Sequence, residues 1–259
     1  MTEATIGTVR PPAGLIFRSL FRADFTVLLR SFRTLLVNFL VPIFILVITG
    51  LHSGSTASAF GDASYEIGLA LTYGLMSSSL IGYAITVARD RDGGVFQRLR
   101  VTPAPTWSIM TSRLLVQIIV DLVMTIVVVV VGTIMHHVSY TALQLLLIGC
   151  VSVLGGAVFL AIGQAIVGLV RSAVAVNAVA RVFYVVLLLL GLIGSSGLLG
   201  DTVKSIAQWS PVGAMISLYE GVIAPSIWGW PQTDGLIASA IYIVLGTFIG
   251  IRWFRWESR

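Results

Sequence analysis

Six long apolar runs constrain this chain more than anything else in it. They lie at about 35–51, 66–88, 108–134, 142–170, 174–196 and 234–253. Each is near the roughly 20 residues that a helix needs to cross about 30 Å of hydrocarbon. Of the 259 residues, 57% are hydrophobic and 10% charged, against about 25% charged in an ordinary soluble domain. A water-soluble fold of this size has too little interior to hide so much apolar side chain, so lipid is the solvent for most of it. The expectation is an all-α membrane protein with six transmembrane helices. The third and fourth runs are long enough to tilt or to reach into the cytoplasm. Gly155, Gly156, Gly163 and Gly168 in the fourth allow either close helix packing through small residues or a break at the glycine pair.

Charge placement orients these spans. Lysine occurs once, at Lys204, and the other fifteen basic residues are arginine. They precede the first run, follow the second, flank the fourth-to-fifth connection and close the chain. With six spans all fifteen fall on one side, so the positive-inside rule puts both termini in the cytoplasm of a multi-pass cell-membrane (plasma or inner) protein. Short arginine groups between apolar runs do not suit nucleic acid. Five arginines before the first long run, with no small-residue cleavage site, argue against a cleaved signal peptide. The lone Cys150 supports neither a disulfide framework nor a cysteine metal site, and reads as a small packed hydrophobe.

Residues 14–33 read as an amphipathic helix on the membrane surface. At helical spacing Arg18, Arg22, Arg30 and Arg33 share one side, and Phe17, Leu20, Phe21, Phe25, Val27 and Leu28 occupy the other. Guanidiniums at lipid phosphates over rings in the acyl boundary is the interfacial pattern. Asp24 breaks it from the middle of the apolar arc, and is expected to meet a neighbouring group or a protein partner. The chain thus divides into 1–34, a cytoplasmic N-terminus with its interface helix, and 35–259, a six-span domain.

Between the second and third runs stands Arg89-Asp90-Arg91-Asp92-Gly93-Gly94-Val95-Phe96-Gln97-Arg98-Leu99-Arg100-Val101-Thr102-Pro103. Alternating charge, a glycine pair and a short amphipathic stretch ended by proline describe a short helix held under the membrane, with Val95, Phe96 and Leu99 on one face. This run resembles the charged-glycine-Leu/Phe-x-Arg-Leu-Arg-x-Thr-Pro segment of type-2 permeases of the ATP-binding-cassette (ABC) transporters. Asp90 and Asp92 stand where relatives often carry glutamates. The resemblance extends to the entry helix, the six spans and the Ser210-Pro211 pair beyond the fifth. It implies that about 89–103 forms a coupling helix docking into an ATPase subunit, through Arg89, Asp90, Arg91, Asp92, Gly93, Gly94, Phe96, Arg98, Leu99, Arg100 and Pro103. It also implies that about 197–233 dips back into the membrane as short external helices, making 35–259 a permease domain.

No Gly-x-x-x-x-Gly-Lys phosphate loop occurs in the sequence, and one is needed to cradle ATP phosphates in the usual way. The resemblance therefore implies a separate nucleotide-binding ATPase subunit in two copies, which would use ATP and Mg. Transporters of that family need two transmembrane halves and only one six-span unit is present, so the resemblance also implies a second permease subunit, in a homodimer or heterodimer. This chain is expected to bind no cofactor and to be no enzyme itself. The implied activity is export of a hydrophobic or amphipathic compound, such as a drug (multidrug efflux), a lipid or a lipid-linked molecule. An apolar interior poor in charge favours a drug-like or lipid-like cargo over a long sugar chain.

Asp121 is the carboxylate deep within a span, where charge costs at least about 2.5–3.5 kcal/mol. It is expected either in a translocation pathway, with Gln117 and Asn38 as companions, or in a helix–helix hydrogen bond to Gln117, Thr125 or another span. The rival function is a self-contained ion- or proton-coupled transporter built on Asp121. Gln164 reads as a packing hydrogen bond. His136 and His137 read as loop positions at the water interface rather than metal ligands, and no catalytic constellation is visible.

Overall fold

The computed structural model describes residues 13–30, 32–52, 62–100, 106–194 and 200–253. Among the described residues the secondary structure is helical throughout, with no strand. The helices are α1 (Ala13–Arg30), α2 (Phe32–His52), α3 (Ala63–Leu75), α4 (Tyr83–Asp92), α5 (Val95–Arg100), α6 (Thr106–His136), α7 (Ala142–Leu169), α8 (Ala173–Leu189), α9 (Asp201–Trp209), α10 (Pro211–Ile223) and α11 (Trp230–Trp253). A π-helical stretch, Met76–Gly82, joins α3 to α4 without interruption, and another, Leu190–Gly194, extends α8.

Five helices among the described residues are long and apolar enough to cross a membrane: Ala63–Asp92, Thr111–His136, Ala142–Leu169, Ala173–Leu192 and Trp230–Trp253. These match the second to sixth expected runs. The first expected run falls on α2, which has 21 residues, and the apolar part of it that lies among the described side chains is Phe39–Gly50. The spans differ sharply in how much of themselves they hide. In the most apolar window of Ala63–Asp92, 78% is buried, against 22% in Ala173–Leu192. The α3–α4 helix is therefore central, and α8 presents most of its side chains outward.

Local chemistry sets the helix ends. Thr141 caps α7 with a reciprocal box, its hydroxyl accepting from the Gln144 amide while Gln144 Oε1 accepts from the Thr141 amide at 2.8 Å. Ser210 caps α10, accepting from the Gly213 amide at 3.1 Å, and Pro211 supplies the preset φ of a first helical residue. Gly94 turns the chain from α4 into α5 at φ +70°, a conformation that glycine adopts without a Cβ clash.

The fourth run does not break at its glycine pair: α7 is continuous, because its small residues are filled by neighbours. A Cβ on Gly156 would lie 2.6 Å from Asp121 Oδ2, and one on Gly155 would lie 2.7 Å from Met215 Cε. On the opposite helix, a Cβ at Gly246 of α11 would meet Ala161 of α7 at 2.7 Å, and one at Gly250 would meet Gln164 at 2.5 Å. This small-residue contact lets α7 and α11 pack backbone to backbone. Two further readings are corrected. Cys150 is exposed on the flank of α7 rather than packed, because its side faces away from the bundle. His136 lies at the end of α6 rather than in a loop, with its side chain 2% exposed and its Nδ1 3.3 Å from Glu66 Oε2.

Candidate coupling and pathway sites

The segment from Arg89 to Arg100 is built on three charged contacts that run in different directions. Asp90 Oδ2 accepts from Arg113 at the base of α6 at 2.7 Å. Arg91 points the other way and is 3% exposed. Its guanidinium donates to the backbone oxygens of Val167 (2.9 Å), Val170 (3.1 Å) and Arg171 (2.7 Å). Val167 lies in the last turn of α7, Val170 caps it and Arg171 follows, so a fork of donors at this negative pole satisfies both hydrogen bonding and charge. Asp92 then accepts from the Ala173 amide at 2.8 Å, at the positive pole where α8 begins. Adjacent residues thus clamp the two ends of the α7–α8 connection.

The glycine turn carries the chain into α5, where Phe96 is fully buried with the Arg113 guanidinium 4.8 Å from its ring centroid. Phe96 is therefore an internal anchor. Arg89, Asp92, Gly93, Gln97 and Arg98 are exposed around it. On the other side of α6, Ser112 hydrogen-bonds Asp24 of α1. Burial, the largest influence, raises the Asp24 carboxyl above its ordinary range. The Ser112 hydrogen bond and nearby Arg113 oppose that rise, and Asp90 adds to it. The residue that broke the amphipathic pattern thus meets a neighbouring group within the chain. Arg18, Arg22 and Arg30 are exposed on the opposite side of α1, whose Phe17, Phe21 and Phe25 rings stack in series.

Deeper in the bundle, Asp121 of α6 is 1% exposed. Ser79 donates to its Oδ2 at 2.6 Å and Gln117 to its Oδ1 at 3.0 Å. The same Gln117 amide reaches Ser78 Oγ at 2.7 Å. Thr125 donates to the Asp121 backbone oxygen at 2.8 Å. Both serines come from the π-helical stretch, and Gly156 supplies the space on the α7 side. Gln117 and Asp121 are therefore brought together, with Ser78, Ser79 and Gly156 as partners that sequence reasoning missed. Gln164 accepts from Tyr83 at 3.1 Å, a packing hydrogen bond as expected.

At the end of the bundle away from Asp90–Asp92, Thr49, Glu66 and His136 gather from α2, α3 and α6, with Thr49 Oγ1 at 3.5 Å from His136 Nε2. Buried α10 packs behind them, and its Tyr219 hydrogen-bonds Ser152 of α7 at 2.8 Å. The side chains of Arg33, Asn38, Leu99 and Arg100, together with Pro103, lie outside the described residues.

Five helices among the described residues, long and apolar enough to cross a membrane, define a multi-pass membrane protein. The family model of the ABC-2 type transporter matches residues 16–223, and the chain belongs to that family. It is also similar to a protein of Bacillus subtilis (strain 168) named "Putative transport permease YvfS", with 24% identity over 151 residues. That match covers 58% of this chain and 61% of the relative, so it spans less than two thirds of the relative's length.

Proposed function

We propose that the chain is the transmembrane subunit of an ATP-driven exporter, supplying half of a pathway for a hydrophobic or amphipathic compound. In this reading α2 is a sixth span, α1 lies in the cytoplasmic interface, and α9 with α10 forms a re-entrant outer segment. Both termini are cytoplasmic. A separate ATPase subunit, in two copies, docks at about 89–103, and a second permease copy completes the pathway. The observation that carries the reading is the joint at Asp90, Arg91 and Asp92. It ties one short cytoplasmic segment to α6, α7 and α8 together, so a push on that segment has three helices to move. The exposed Gln97 and Arg98 beside the buried Phe96 suit a docking surface with an internal anchor.

The test is co-expression with an ATPase encoded beside this chain, followed by purification of the complex. Arg98→Glu is expected to lose the ATPase while the permease remains folded. Phe96→Ala is expected to retain binding weakly and to uncouple ATP hydrolysis from transport. Survival of both binding and coupled hydrolysis in the double variant would refute the docking assignment. The rival, ion coupling through Asp121, predicts pH-dependent flux without any ATPase, lost in Asp121→Asn.

A further inference from the structure

A cavity of about 420 Å³ lies between α1 and the helices α4 and α6. It falls within the range of small-molecule sites, which are about 300–1,000 Å³ and mostly apolar with few polar groups. One wall is the inner stripe of α1, where Leu20, Asp24 and Leu28 recur at i, i+4 and i+8. The facing wall is Val116 and Val120 of α6. Three charged groups line it: Asp24, Asp90 and Arg113. Asp90 and Arg113 neutralise each other at 2.7 Å. Arg113 also lies near Asp24, which the Ser112 hydroxyl holds, so the wall carries two carboxylates to one guanidinium. At its other end the cavity reaches Ser78 and Gln117, the residues that hydrogen-bond around Asp121.

We propose that this cavity binds a small cationic amphipath, its apolar body along Leu20, Leu28, Val116 and Val120 and its positive charge against Asp24. Charge complementarity decides the sign: two carboxylates and one guanidinium repel an anion and leave a neutral ligand with a half-buried carboxylate to desolvate. It also explains why a carboxylate stands in the apolar stripe of α1. The inference deepens the transport reading by naming the cargo class, and it rests on that reading for its biological meaning. The binding itself is measurable without an ATPase.

The experiment titrates the purified full chain in mild detergent with tetraphenylphosphonium, and separately with its anionic isostere tetraphenylborate. The cation is expected to bind at least about tenfold tighter, and Asp24→Asn to remove that preference. Leu28→Trp, which fills the cavity, is expected to abolish saturable binding of the cation. Asp24→Glu keeps the charge and should retain cation binding within a few-fold, so the proposal stays testable if Asp24→Asn does not fold. Equal affinity for the two isosteres overturns it, as does cation binding untouched by Leu28→Trp or lost in Asp24→Glu. If cation binding fails while the ATPase complex forms and couples, the cavity assignment alone is wrong. Intact cation binding in a chain that recruits no ATPase leaves the cavity standing and removes the exporter reading.

Discussion

Removing the Arg91 guanidinium tests whether the end of α4 is fastened to α7 as the geometry requires. Arg91→Ala deletes three hydrogen bonds to backbone carbonyls at 2.7–3.1 Å. Each hydrogen bond to a charged group is worth about 1.5–3 kcal/mol, and a cation at a partly buried helix C-terminus adds up to about 2 kcal/mol. Against that gross gain stands the desolvation of a guanidinium, several kcal/mol in a protein interior. Water entering the alanine variant would also rehydrate part of the α7 terminus. The net loss is therefore expected at about 2–4 kcal/mol. Arg91→Lys keeps the charge but cannot spread donors over three carbonyls, and should lose about half as much. The assay is equilibrium unfolding of the purified chain in mixed micelles, with amide exchange followed across 166–175. Faster exchange there, at the end of α7 and the start of α8, is the signature of the lost clamp. A loss below about 0.5 kcal/mol, within the range of an ordinary surface substitution, would refute the clamp. A loss with no change in exchange at 166–175 would do the same.

Other outcomes follow from the mid-span and interface groups. Asp121→Asn preserves shape and most hydrogen bonds and should change stability by less than about 1 kcal/mol. Asp121→Ala strands Ser79 and Gln117 and should cost about 1–3 kcal/mol. An unfolding titration of both variants decides between a network that is merely filled and one that is hydrogen-bonded. Gly156→Ala places a Cβ 2.6 Å from Asp121 Oδ2, so it should destabilise by about 1–3 kcal/mol. Its effect should also be non-additive with Asp121→Asn in a double-mutant cycle. Burial raises the Asp24 carboxyl, so it takes up a proton at higher pH than an exposed aspartate, and that proton competes with a bound cation. Tetraphenylphosphonium affinity should be full above the raised value and fall as pH drops through it. The fall should be absent in Asp24→Asn, as isothermal titration at several pH values would show.

The spans were legible because crossing hydrocarbon demands long apolar runs. The expected 142–170 and 66–88 stand against α7 at Ala142–Leu169 and a helix at Ala63–Asp92. The polar partners were legible only in part. Asp121 with Gln117 follows from four-residue spacing, but Ser78 and Ser79 reach it from another helix, through a π-helical stretch that no hydrophobic period reveals. Glu66 and His136 meet only because α3 and α6 lie side by side. The burial of Arg91 does not follow from its alternating charges, which read with the rest of the segment as a short helix under the membrane. Yet Ala84, Val87, Ala88 and Arg91 fall on one stripe at i, i+3, i+4 and i+7, and the first three are buried. Asp24 stands in the same relation to Leu20, Val27 and Leu28. The usable signal in both cases is a charge lying on an apolar stripe, because burying it requires a partner in place.

These partners converge on one helix. Ala63–Asp92 has 30 residues, about 45 Å at 1.5 Å per residue. It carries Glu66 near its first residue, Ser78 and Ser79 at its middle, and Arg91 with Asp92 at its last turn. The first two latches engage α6, and the third engages the α7–α8 connection. The π-helical stretch lies between these latches, and such stretches recur at functional sites in otherwise continuous helices. Ser78 of that stretch lines the cavity under α1 and accepts from Gln117, which in turn donates to Asp121. The middle latch is therefore the one that a ligand in that cavity would touch.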